Sequence, residues 1–147
     1  MAHTYANVLI HCVFSTKLRR DSIPDDLREK LAMYFVGIGK SHDIRVLCAG
    51  GTANHSHLLF LLPATVPLAK AVQILKANSS RWLGEHGFDF AWQEGYGAFS
   101  VSASNVEAVR DYIEHQEEHH AKHSFEDGFV SLLRKSGVEY DPAFVFG

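Results

Sequence analysis

Between Val8 and Phe14 a single short segment carries two apolar rows. Val8, Ile10, Cys12 and Phe14 recur at period two, and Leu9, His11 and Val13 occupy the other side. A strand apolar on both sides has to lie in the middle of its sheet, so the remaining elements must be arranged around it.

Those elements follow in order. Ser22, Pro24 and Asp25 open a helix with a capping serine, an early proline and an acidic first turn, and Leu27, Leu31, Tyr34, Phe35 and Ile38 form its buried stripe before Gly39. A second strand spans 44–49, Gly50 and Gly51 make a turn, and a third strand runs from His55 to Leu62, ended by Pro63, which gives a hairpin. A helix from about Pro67 to Leu83 carries Leu68, Val72, Leu75, Ser79 and Trp82 at helical spacing and stops at Gly84. An aromatic, Gly-containing loop, Phe88 to Gly97, leads to a fourth strand at 98–102. Ser104 to Glu107 reads as a capping box that starts a helix near Val106 and carries it towards His120. A last helix spans 125–135, and residues 137–147 form an irregular tail. The order predicts an α+β, ferredoxin-like split βαβ fold, an antiparallel sheet with helices on one face and an added helix after the fourth strand. At 147 residues this is one domain, 1–147.

Composition excludes several classes. The longest apolar run of note, Leu58 to Leu62, is far short of the roughly 20 residues of a membrane helix, and the polar start from Met1 to Thr4 is no signal peptide, so a cytoplasmic protein is expected. Cys12 and Cys48 sit in apolar strands and read as packing, which rules out a disulfide scaffold. The net charge of -3 conceals an asymmetry: residues 1–81 carry 10 Lys and Arg against 5 Asp and Glu, residues 82–147 carry 4 against 12. A basic first half suits a polyanion or a solvated surface alike, and the acidic second half argues against general nucleic-acid binding.

His55 and His57 stand on one face of the third strand, their backbones about 7 Å apart, and could grip one cation or form a hydrogen-bonded pair. In the helix after the fourth strand, Val106, Val109, Ile113 and Gln116 share one stripe, which puts an amide on a buried face. Tyr112 lies one turn before Gln116. If that helix crosses the histidine face, Tyr112, Gln116, His55 and His57 converge; otherwise Tyr112 is an edge residue and Gln116 satisfies a buried carbonyl. A rival metal site is His115, His119 and His123, four residues apart, with His120 adjoining. The stretch from His115 to His119 approaches the H-E-x-x-H pattern, but Gln116 replaces the glutamate that would act as general base, so zinc hydrolysis is disfavoured.

The His-x-His strand followed by a helical Tyr-x-x-x-Gln resembles the single-tyrosine HUH transposases of the smallest bacterial insertion sequences, the IS200-like family. His11 to Lys17 with Arg19 and Arg20 looks like that family's first strand and basic exit, Trp92 to Ser102 like its loop into the last strand, and Tyr112 to Gln116 like its nucleophile helix. The resemblance implies cleavage and rejoining of single-stranded DNA through a covalent 5′-phosphotyrosine. Tyr112 would be the nucleophile, and His55, His57 and Gln116 would hold Mg²⁺ or Mn²⁺. It also implies hairpin ends as substrate and a homodimer sharing its active sites. Transesterification needs no nucleotide cofactor, and no phosphate-cradling Gly-x-x-x-x-Gly-Lys loop occurs here. Lys17, Arg19, Arg20, Lys70, Lys76, Arg81 and Trp92 are the candidates for backbone contact and base stacking. The competing classes are an inactive or domesticated nucleic-acid-binding relative and a zinc-binding protein.

Overall fold

The computed structural model describes residues 3–87 and 89–146. Phe88, expected at the head of the aromatic loop, Gly147 at the end of the tail, and Met1 and Ala2 of the polar start lie outside them. The elements are β1 (Leu9–Ser15), α1 (Asp25–Ser41), β2 (Arg45–Gly51), β3 (His55–Leu61), α2 (Leu68–Glu85), β4 (Gly97–Val101), α3 (Val106–Glu114), α4 (Gln116–His120) and α5 (Phe125–Lys135). The four strands form one antiparallel sheet in the order β2-β3-β1-β4, the ferredoxin-like arrangement.

The two-sided strand explains the layering. Ile10, Cys12 and Phe14 of β1, with Leu58 and Phe60 of β3, meet Leu27, Leu31, Phe35 and Ile38 of α1 and Val72, Leu75 and Leu83 of α2. On the other face Leu9, Cys48 and Leu59 meet Ile113 of α3, while Val13 and Phe99 meet Phe125 and Leu133 of α5 together with Tyr140, Val145 and Phe146 of the tail. Among the described residues the tail carries no helix or strand, yet it contributes to a core. Cys12 and Cys48 are free and buried, and burial pushes their thiols up to about 12 and about 11. Among the described residues no helix is long and apolar enough to cross a membrane.

A bulge in β2 serves both faces. Val46 pairs with Phe60 and Cys48 with Leu59, so Leu47 is inserted between them. The extra residue turns Val46 to the first core and Cys48 to the second, and Arg110 of α3 donates to the Leu47 carbonyl at 3.3 Å.

Local expectations are corrected in three places. Gly50 and Gly51 end β2 rather than making the turn, which falls at 52–54; a Cβ on Gly50 would collide with the Ile113 carbonyl oxygen, so α3 can lie this close only over glycine. The serine caps do not form: Pro24 stands at the N-cap of α1 while Ser22 Oγ donates to the Arg20 carbonyl, and Ser104 Oγ pairs with Ser102 Oγ at 3.1 Å ahead of α3. The single helix expected from Val106 to His120 is broken at His115 (φ -112°, ψ 32°). There the Gln116 side-chain amide donates to the Tyr112 carbonyl at 2.8 Å, an acceptor that an unbroken helix would give to the Gln116 backbone N–H.

Candidate active site

Strand alternation sends Ser56, Leu58 and Phe60 to the core beneath α1 and α2 and leaves His55 and His57 on the other face, beneath α3, α4 and α5, where both are fully buried. Val13 of β1 lies directly opposite His57, and His11 is its diagonal neighbour. The His11 and His57 rings stack with centroids 5.1 Å apart, and His11 Nε2 lies 2.8 Å from His57 Nδ1.

The broken helix supplies the rest. Tyr112, Gln116 and His120 are spaced by four, so the α3–α4 pair turns all three towards the histidines. The Tyr112 ring centroid is 5.5 Å from that of His57, in the same chain, and the His120 ring is 4.5 Å from His55. With its Nε2 held by the Tyr112 carbonyl, Gln116 presents Oε1 to His55 Nε2 at 3.3 Å. His55 Nδ1 lies closer to an acceptor, Asn54 Oδ1 at 2.8 Å. Donation there leaves the His55 Nε2 lone pair facing the Gln116 oxygen.

Electrostatics keep this cluster neutral. Burial lowers His55 to about 3 and His11 to about 4, and holds His57 well below its ordinary value; His120 is lowered by the same cause. Neutral imidazoles keep lone pairs, and the Nε2 atoms of His57 and His120 are buried with no hydrogen-bond partner. Leaving such atoms unpaired costs on the order of 1–3 kcal/mol each. The ligand-capable nitrogens of His55, His57 and His120 all lie within 4.8 Å of one another. Orphaned nitrogens, converging lone pairs and a fixed amide oxygen fit a divalent cation well. Two cavities flank the cluster. One of about 610 Å³ is lined by Tyr112, His11, His119 and Lys135, and one of about 520 Å³ by His55, His120, Asn54 and Arg28.

The structure therefore brings Tyr112, His55, His57 and Gln116 together and adds His11 and His120, which sequence reasoning had not placed in the site. Helical spacing could have found His120, four residues after Gln116. The rival trio His115, His119 and His123 does not form a cluster among the described residues: His115 pairs with Asp111, and His119 packs on Tyr112 and His123.

The candidate nucleic-acid contacts separate into groups. Lys17 and Arg20 are exposed in the turn after β1, where Thr16 N–H donates to the Asn54 carbonyl beside His55. Arg19 is spent on Glu126 at 2.9 Å and on the Phe146 carbonyl. Lys70 and Arg81 are exposed on α2, across the sheet from the histidines. Two expectations need correction. Lys76 is no free cation, because its ammonium donates to the Gln93 and Gly95 carbonyls at 2.7 and 3.0 Å and clamps that loop. Trp92 cannot stack on a base, because it is buried against Phe14 and Phe90 with its indole N–H on Ser79.

Solved transposases share this fold. A candidate transposase from Deinococcus radiodurans R1 matches with a TM-score of 0.61 and 20% identity, over 79% of this chain and 96% of that one. The REP-associated tyrosine transposase bound to a REP hairpin matches at 0.59 and 13%, over 85% and 74%. Strand order and topology together define a small ferredoxin-like α+β domain of the kind these solved proteins share. The profile of the family described as Transposase IS200 like matches residues 4–116. Transposases for insertion sequence element IS200 from Salmonella typhimurium strain LT2 and Salmonella typhi are each 29% identical over 124 residues, 79% of this chain and 81% of theirs. The chain belongs to the IS200-like transposase family.

Proposed function

We propose that this transposase cleaves and rejoins single-stranded DNA by transesterification, with Tyr112 as nucleophile and with His55, His57 and Gln116 holding Mg²⁺ or Mn²⁺. One observation carries the reading: a phenol stands 5.5 Å, ring to ring, from a buried imidazole whose Nε2 has no partner.

Tyr112 Oη attacks the scissile phosphorus and gives up its proton. The P–O3′ bond breaks, O3′ takes a proton and leaves as a 3′-hydroxyl, and the DNA 5′-phosphate stays on the tyrosine. Rejoining reverses these events: a 3′-hydroxyl attacks the phosphotyrosine, and Tyr112 leaves and regains its proton. One phosphodiester replaces another, so no nucleotide cofactor enters. Burial raises the Tyr112 phenol above its ordinary value, against a smaller opposing effect of Gln116, so less than about 0.1% is ionised at pH 7. His55, His57 and Gln116 would hold the divalent cation, which would supply charge stabilisation to the reacting phosphodiester. Imidazole donors predict that the rate in Mn²⁺ at least matches that in Mg²⁺.

The substrate in this reading is single-stranded DNA with hairpin ends, held in part by Lys17 and Arg20. The hairpin bound by the REP-associated enzyme supports that choice. A cytoplasmic homodimer completes the reading, with Tyr112 facing His57 of its own chain. The test is incubation with a labelled hairpin-ended oligonucleotide and Mn²⁺, followed by denaturing electrophoresis. A covalent band that is lost in Tyr112→Phe and in EDTA is expected. DNA binding without any covalent band would indicate a relative that keeps binding but not chemistry.

A further inference from the structure

We propose that His120 is a third imidazole ligand of the metal centre, so that the cation is held by His55, His57 and His120 together with the Gln116 oxygen. This rests on the metal reading above and adds to it a ligand from beyond the residues that match the family profile, which end at 116.

Three observations converge on His120. Its Nδ1 lies 2.7 Å from the His123 carbonyl oxygen, and since a carbonyl only accepts, Nδ1 carries the proton and Nε2 keeps the lone pair. That Nε2 is buried and unpartnered, as is Nε2 of His57. Its position is within 4.8 Å of the nitrogens of both strand histidines. A ring N–H fixed on a backbone carbonyl, with the opposite nitrogen aimed at other ligands, is how metal-binding histidines are oriented. His120 is no loose surface ring either: His123 fixes it on one side, and its ring packs edge-on against His55 on the other.

The segment that carries His120 is tied down from outside the cluster. Glu117 forms an ion pair with Arg28 of α1 at 2.7 Å, and a Cβ on Gly128 of α5 would lie 3.6 Å from the His120 ring. The third ligand is therefore carried by a helix tied to α1 through Glu117 and packed close to Gly128 of α5. Three imidazoles and one amide oxygen are a borderline donor set, which favours Mn²⁺, Co²⁺ and Zn²⁺ over Mg²⁺.

The test is Mn²⁺ binding to the full chain without DNA, followed by loss of the free-ion paramagnetic resonance signal and by counting ¹⁴N-coupled imidazoles with pulsed methods. Wild-type protein should show three coordinated imidazoles and keep its Mn²⁺ against a large excess of Mg²⁺. His120→Ala should show two and bind at least about tenfold more weakly, whereas exposed His115→Ala should match wild type. The imidazole count in the wild-type protein decides the matter even if His120→Ala fails to fold. Two imidazoles in wild type, or equal affinity in a folded His120→Ala, would overturn the proposal while leaving the metal reading intact. Failure of wild-type protein to bind Mn²⁺ at all would overturn both.

Discussion

His11 Nε2 and His57 Nδ1 lie 2.8 Å apart, joining β1 to β3 through two stacked rings on the buried face of the sheet. When His57 offers Nε2 to a cation, its Nδ1 must carry the proton, and His11 is the acceptor that fixes that tautomer. His11→Ala is expected to weaken Mn²⁺ binding about 10- to 100-fold, and His11→Gln, which restores an acceptor, to recover part of the loss. Calorimetric or resonance titration reads both. Unchanged affinity in His11→Ala would remove His11 from any positioning role.

The buried imidazoles make the metal-free fold acid-sensitive. His55 is lowered to about 3, His11 to about 4, and His57 well below 6.5, chiefly by burial. In the unfolded chain all three return to about 6.5. Between pH 6.5 and about 4 the unfolded chain therefore binds more protons than the folded one. Stability is fully present above that window and falls as pH falls through it. Melting in EDTA should show a clearly lower Tm at pH 5 than at pH 7.5; an equal Tm at both would contradict this account of the cluster.

Gly50 is where α3 comes closest to the sheet. Gly50→Ala drives a methyl into the Ile113 carbonyl and should cost about 1–3 kcal/mol, with reduced strand transfer because Tyr112 rides on the same helix. Gly37→Ala is the contrast: it sits inside α1 with open space around it, and gains about 0.5–1 kcal/mol. Chemical denaturation of the two variants should move in opposite directions.

Exposed cations and clamped ones should behave differently towards DNA. Lys17→Ala and Arg20→Ala are each expected to lower affinity and to reduce the salt dependence of binding by about one charge. Lys76→Met instead releases the loop at Gln93 and Gly95, lowering stability while leaving the salt slope unchanged. Affinity measured across a salt series separates the two behaviours.

What could be read from sequence followed local periodicity. Alternation in β1 and β3 and the α1 and α2 stripes were legible because each buried face repeats at the period of its own element. Tyr112 and Gln116 fall on neighbouring parts of one face for the same reason. Long-range contacts left no such mark. Gly50 and Gly51 look like a turn, and only the close approach of α3 gives them another use. Trp92 belongs to an aromatic loop that folds beneath β1 and bonds Ser79, and nothing local distinguishes it from a surface ring. His120 was hidden by its neighbours, since His115, His119 and His123 make the more regular histidine row. The break at His115 and the bulge at Leu47 come from side-chain to backbone bonds and strand pairings that no spacing encodes.

The most direct measurement is mass spectrometry of the protease-digested reaction with a hairpin-ended oligonucleotide and Mn²⁺. A nucleotide 5′-phosphate attached to the peptide that contains Tyr112 is the predicted product, absent in Tyr112→Phe. Attachment at another residue, or a covalent product that persists in Tyr112→Phe, would contradict the assignment.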